Sequence, residues 1–218
     1  MDSKTFGQEN YNKYWANRKK MNRTGLSEIH KIIIGIVNKY QKQKSKILDL
    51  GVGPGHVFKE LQKNHDLYGI EIADEAFSMY DFDTKNIKKF DFSNGIPEFE
   101  NVKSFDVIIA SNILHHLKNP LKLLLEIKEK MNNNSILIFV TPNISFFIHR
   151  IKYFFTGKFP NFSKSHVNFL SPYEWIEMLK TNGFKIIEIQ TMGRHKILLK
   201  LFPLLISGSL FFVCKKSK

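Results

Sequence analysis

The chain has 218 residues, a mass of 25.5 kDa, and 33 lysines and arginines against 20 acids, for a net charge of +13. That length suits one domain whose core needs neither disulfide nor metal, and the single cysteine, Cys214, excludes an internal disulfide and any multi-cysteine zinc site, in keeping with a reducing cytoplasm. A basic surface attracts phosphates and carboxylates, but lysines here run through every segment beside asparagine and isoleucine, as a compositional bias would spread them; both readings stay open.

Residues 1–26 are polar, with Tyr11, Tyr14 and Trp15 beside Arg18, Lys19 and Lys20. Met1 to Asn12 lacks the apolar stretch of a secretory signal. From Ser27, a natural N-cap, Ile29, Ile32, Ile33, Ile36 and Val37 recur at helical spacing. Lys46 to Leu61 then reads as strand, glycine turn and helix: Ile47, Leu48 and Leu50, then Gly51, Gly53 and Gly55, then an amphipathic segment. Glycines let a ligand lie against the backbone, and the opening amides of the next helix are available to its polar atoms. A dinucleotide fingerprint would need its third glycine where this chain has His56, so the pattern is Gly-x-Gly-x-Gly, preceded by Asp49.

A second strand, Asp66 to Ile72, brings Glu71 to a position 20 residues after Gly51. A doubly wound fold places that strand tip beside the first loop, where a carboxylate accepts ribose hydroxyls; enzymes that bind NAD use the same device. A third strand, Ile87 to Phe90, ends in Asp91-Phe92, an acid that either contacts a ligand or caps the turn at Ser93-Asn94-Gly95. The fourth, Ser104 to Asn112, is a continuous apolar run of the kind buried on both faces. After Ile113-Leu114-His115-His116 come a helix over Pro120 to Met131, ended by Asn132-Asn133-Asn134, and a fifth strand, Ser135 to Thr141. This alternation is the signature of a parallel sheet with helices on both faces and a ligand at the carboxyl ends of its strands.

Residues 144–170 form an insertion whose first half, Ile144 to Phe155, is amphipathic, aromatic and basic; it suits a pocket cap, a membrane surface or ordinary core packing. His166 lies in its second half. Ser171-Pro172-Tyr173-Glu174 opens a helix to Thr181, Phe184 to Thr191 makes a sixth strand, and Ser209 to Cys214 a seventh. The apolar stretch Ile197 to Cys214 is interrupted by Lys200, Pro203 and Gly208, short of the ~20 apolar residues a membrane span needs, and reads as a helix followed by a buried strand.

The glycine loop with Asp49 and Glu71, and the segment Ile113 to Pro120, resemble class I S-adenosylmethionine (SAM)-dependent methyltransferases of the type 11 grouping; Pro142-Asn143, Arg150 and Gly157 resemble its MetW-like branch. The resemblance covers Lys46 to Phe184 well and the ends loosely. It implies one α/β domain with a doubly wound, mostly parallel seven-stranded sheet in the order 3-2-1-4-5-7-6, the last strand antiparallel between the fifth and sixth. SAM would lie across strands one to four, against Asp49, Gly51, Gly53, Gly55, Glu71, Ile72, Asp91, Phe92, Ser111 and Asn112, with Asp91 at the adenine amino group. Residues 1–26 would fold over it as a lid, the alternative being a mobile tail, and 144–170 would cap the acceptor. Ser111-Asn112-Ile113-Leu114 replaces the Asn-Pro-Pro-aromatic box of amino-methylating DNA enzymes, so nucleic acid is not the expected acceptor.

The acceptor class implied is a small molecule, or a sugar or lipid on a carrier, methylated on oxygen, with peripheral membrane contact open. A hydroxyl acceptor must lose its proton, and His115 or His166 is the candidate base, His115 the favoured one. No local cluster of acids and histidines has ligand spacing, so no metal is expected. Two other readings remain: a catalytically silent scaffold that regulates a partner enzyme, and an NAD-binding oxidoreductase.

Overall fold

The structure is a computed structural model that describes residues 7–157, 166–192 and 201–217. Seven strands form one sheet, in the order β3-β2-β1-β4-β5-β7-β6: β1 (Lys46–Leu50), β2 (Asp66–Glu71), β3 (Ile87–Lys89), β4 (Phe105–Ser111), β5 (Met131–Pro142), β6 (Phe184–Thr191) and β7 (Ser209–Lys216). The first five pair with one another in parallel, and β7 runs antiparallel to both β5 and β6. The order and the inserted last strand are those anticipated from the sequence.

Alternation along the strands sorts the core into two layers. Leu48, Leu50, Ile108, Ala110, Leu137 and Phe139 face one side, under α5 (Pro120–Glu129) and α7 (Pro172–Thr181). Ile47, Val107, Ile109, Ile136, Ile138 and Val140 face the other, under α2 (Glu28–Tyr40) and α3 (His56–Leu61). Local chemistry fixes the helix starts. Ser171 N–H donates to Glu174 Oε2 at 2.6 Å while Glu174 N–H donates to Ser171 Oγ at 3.3 Å, a capping box reinforced by Pro172. At α2 the same device uses a histidine: Ser27 N–H donates to His30 Nδ1 at 3.1 Å.

Residues 8–20, left open between tail and lid, form helix α1 (Gln8–Lys20). It packs on the short α4 (Asp74–Phe77), where Gln8 Nε2 donates to Asp74 Oδ2 at 2.7 Å, Glu75 N–H donates to Asn12 Oδ1 at 3.2 Å and Lys19 pairs with Glu75 at 3.3 Å. Two sequence boundaries shift. The helix expected to reach Met131 ends at Glu129, and Met131 to Asn134 belong to β5, because Met131 pairs with Phe105 and Ser135 Oγ donates to the Phe105 carbonyl, bridging an irregularity in the ladder. Helix α6 (Phe147–Thr156) buries none of its residues, so its aromatics are not core; Phe154 is 82% exposed and Phe155 79%. The helix expected from Ile197 falls partly outside the described residues, which show α8 (Pro203–Ile206).

Trp175 ties α7 to the sheet, 1% exposed with its ring edge-on to Phe139 at 4.8 Å. Trp175→Ala should lower unfolding stability by about 3–5 kcal/mol, read as a drop in the urea midpoint with an unchanged slope.

Candidate active site

The register of β1 against β2 and β4 brings the ends of three strands to one edge: Leu50 lies beside Ile70 and Ala110. The chain leaves β1 through Gly51, Gly53 and Gly55, all at positive φ (75°, 57° and 81°), a region that side-chain-bearing residues rarely adopt. At Gly51 and Gly53 close approach adds a second reason. A Cβ on Gly51 would stand 3.0 Å from Ile113, and one on Gly53 would stand 3.0 Å from the Trp15 indole of α1. The glycine loop is therefore pressed between the turn after β4 and an aromatic of the N-terminal helix.

Glu71, at the tip of β2, points at this loop. Its Oε2 accepts the Gly53 N–H at 2.7 Å, and Oε1 accepts those of Ile72 at 2.8 Å and Ala73 at 2.9 Å. The Gly53 amide is thus held by the protein itself. A carboxylate has about four acceptor positions, so roughly one remains for another donor. Burial pushes Glu71 up and its three backbone donors pull it down, with a net rise. Asp49, also buried, is pushed up to about 8 by burial and by the Glu71 charge.

These residues line a cavity of about 400 Å³ along the strand tips. Asp49, Gly51, Gly53, Glu71, Ile72, Phe92, Ser111 and Asn112 are in its wall, as are both candidate bases, His115 and His166. Two expected cofactor residues are not. Gly55 faces away, where a Cβ would meet Phe82 at 2.5 Å, so its positive φ serves packing against an aromatic cluster. Asp91 stands outside the lining, half-buried, and its charge reaches the wall through Tyr11, whose hydroxyl is pushed above its usual range by burial, Glu71 and Asp91. Tyr11, Trp15 and Arg18 of α1 cover one side, and His30 and His56 close an end that the sequence reading did not assign. The His56 Nε2–H donates to the Thr24 carbonyl, and burial with His56 nearby pulls His30 down to about 4. The signal was present in Ser27 and His30, but it reads as a helix cap.

At the other end three imidazoles meet. His115 and His116 follow β4 on a single 3-10 turn, Leu114 to His116, and His166 arrives from 50 residues further on. The Val167 and Asn168 N–H groups both donate to the His115 carbonyl at 3.0 Å, and the Asn168 side chain donates to the Leu117 carbonyl, stapling the two segments together. Ring centroids stand 4.1 Å (His115 to His116), 4.4 Å (His115 to His166) and 4.9 Å (His116 to His166) apart. Burial first, then the neighbouring rings, pull His115 down to about 2 and His166 to about 4. His115 is 3% exposed and, among the described residues, its Nδ1 has no hydrogen-bond partner. That burial makes the favoured base the poorer proton acceptor of the two. Of residues 144–170, His166 enters the lining and α6 contributes none of it.

A buried acid pair, a glycine cradle and a strand-tip cavity suit several nucleoside-binding families, and comparison with known proteins decides among them. A sequence model described as a methyltransferase domain matches residues 14–189. The chain belongs to the methyltransferase domain family. This methyltransferase is 25% identical over 154 residues to the ubiquinone biosynthesis O-methyltransferase of Rickettsia bellii (strain OSU 85-389), in an alignment covering 66% of this chain and 63% of that protein, so the chain spans less than two thirds of that curated relative. It is 26% identical over 163 residues to the demethylmenaquinone methyltransferase of Thermotoga maritima, covering 65% of this chain and 70% of the relative. Among solved structures, a SAM dependent methyltransferase from Archaeoglobus fulgidus superposes with a TM-score of 0.62 at 17% identity, over 93% of this chain and 99% of that one. A TehB-like SAM-dependent methyltransferase from Corynebacterium glutamicum gives 0.59 at 16% identity, over 96% and 98%. At these identities the structures share the fold.

Asp49 gives the protein a pH signature. Its folded pKa of about 8 lies above the ordinary 3.8, so the folded state binds the proton more tightly, and this stabilisation is full below pH ~4 and lost as pH rises towards 8. Urea midpoints of the ligand-free protein should therefore fall between pH 4 and 8 relative to those of Asp49→Asn. Parallel pH profiles for the two proteins would show that Asp49 is ionised throughout.

Proposed function

We propose that the protein is a SAM-dependent O-methyltransferase whose acceptor is a hydroxyl on a small or lipid-linked molecule. The observation that carries this reading is the clasp of Glu71 on the Gly53 amide, which leaves one carboxylate face towards the cavity. The residues present fit the cofactor. Its ribose hydroxyls are donors for the remaining Glu71 lone pair, and its positive charge suits a cavity walled by two buried acids, Asp49 and Glu71. When bound, SAM supplies a methyl group on a cationic sulfur, ready for in-line displacement.

The chain's own work is positioning. Trp15 and Tyr11 close over the loop as a lid, Asn112 and Ser111 set the floor, and the acceptor oxygen approaches from the histidine end. There the chain would hold the acceptor oxygen in line with the methyl group that SAM would supply, and the hydroxyl proton would pass to a neighbouring imidazole or to solvent. His166, half-buried in the wall, is the imidazole placed to accept the hydroxyl's hydrogen bond; buried His115 supports it from behind. The printed name of one curated relative, a ubiquinone biosynthesis O-methyltransferase, favours oxygen as the acceptor atom. Helix α6 fits a lipid-linked acceptor: Ile148, Ile151, Phe154 and Phe155 are exposed beside Arg150 and Lys152, an apolar and basic combination suited to an anionic bilayer surface. No helix among the described residues is long and apolar enough to cross a membrane.

Calorimetric titration with SAM tests the reading. One site should be found, Glu71→Gln should weaken it about 10- to 100-fold, since a hydrogen bond to a charged group is worth ~1.5–3 kcal/mol, and affinity should rise from pH 6 to 8 as Asp49 loses its proton. Heat with NAD and none with SAM would replace this reading with an oxidoreductase; SAM binding without methyl transfer to any hydroxylated acceptor in a quinone-containing lipid extract would favour the silent scaffold.

A further inference from the structure

The histidine end of the cavity holds more polar capacity than an acceptor hydroxyl requires. His115, His116 and His166 each offer one nitrogen, and the three nitrogens lie within 4.8 Å of one another. The arrangement is built, because the two N–H groups on the His115 carbonyl and the Asn168 side chain on Leu117 hold the second segment against the first. A second observation points the same way: His115 is buried and, among the described residues, its Nδ1 has no hydrogen-bond partner. An orphaned buried polar atom costs about 1–3 kcal/mol, so a ligand at this point would remove a penalty the protein otherwise carries.

We propose that His115, His116 and His166 form a binding site for a divalent transition-metal ion, with its open coordination position facing the cavity. Imidazole nitrogens suit zinc, iron, nickel and copper and not magnesium or calcium, and three histidines with a vacant fourth place make the donor set of a catalytic rather than a structural zinc site. Metal–nitrogen bonds of about 2.0–2.1 Å in a tetrahedron place nitrogens ~3.4 Å apart. Closing from within 4.8 Å asks for rotations of His116 and His166, the two half-buried rings, around the fixed His115. Among the described residues no acid joins the three histidines, so these ligands leave the ion its full charge. In the O-methyltransferase reading on which this role rests, the ion would take the place of His166 as partner of the acceptor hydroxyl, which at the open position loses its proton to solvent.

The binding claim is tested without cofactor or acceptor. Tag-free protein, stripped with a chelator, is titrated with Zn(II) by calorimetry and with Co(II) by visible absorption. One equivalent per chain is expected, with the intense bands of four-coordinate Co(II). His116→Ala and His166→Ala should each weaken binding at least ~100-fold, the upper end of what loss of a mere supporting partner costs, while His65→Ala, on a different cavity, leaves it unchanged. SAM titration of the same variants reports that they are folded. Absence of one-equivalent uptake, or uptake that survives both substitutions, overturns the site. Metal bound through these histidines by a protein that ignores SAM would sustain the site and remove the methyltransferase role; SAM bound with no metal would do the reverse.

Discussion

The geometry of the cavity depends on one carboxylate. Glu71 closes β2, and its two oxygens hold three backbone amides, one from the glycine loop after β1 and two from the turn leading to α4. Without that clasp the positive-φ loop has little to define its path, since glycine loses more conformational freedom on ordering than any other residue. The clasp also brings α4, and with it α1, to the edge of the cavity, because α1 rests on α4 through Asp74 and Glu75. The same group that would read a ribose thus sets both the floor and the cover of the site.

Charge is distributed unequally along the cavity. Burial and the Glu71 charge raise the proton affinity of Asp49, and burial raises that of Glu71, whereas burial and the neighbouring rings lower those of His115 and His166 in the histidine cluster. A cation is favoured at the acidic end and a polarised oxygen at the histidine end. In the proposed reaction that polarity would order a methyl donor and an acceptor along one axis, which is the principal demand of in-line transfer. The strand tips, aligned by parallel pairing, supply the rigid support.

Much of this was legible in the sequence because it is local or follows from regular topology. Ile47 to Gly55 states strand and turn in nine residues, and the 20-residue interval to Glu71 is the length of one helix and one strand. The alternating β and α units then determine which loops share an edge. Three features were hidden for physical reasons. His166 is brought to His115 by hydrogen bonds of its own neighbours, 51 positions along the chain, so a search for ligand spacing along the chain passes over the cluster. Gly55 looks like its two companions, yet what it avoids is Phe82 and not a ligand, a distinction carried by tertiary packing alone. The exposure of α6 was equally hidden, since an amphipathic pattern gives a helix an apolar face without saying what covers it.

A crystal structure with S-adenosylhomocysteine tests the central claim most directly. The account predicts ribose hydroxyls within hydrogen-bond distance of Glu71, the Gly53 amide still on the same carboxylate, and the sulfur directed towards His115 and His166. A nucleoside bound away from the β1 and β2 tips, or Glu71 released from the glycine loop with no contact to the sugar, would contradict it.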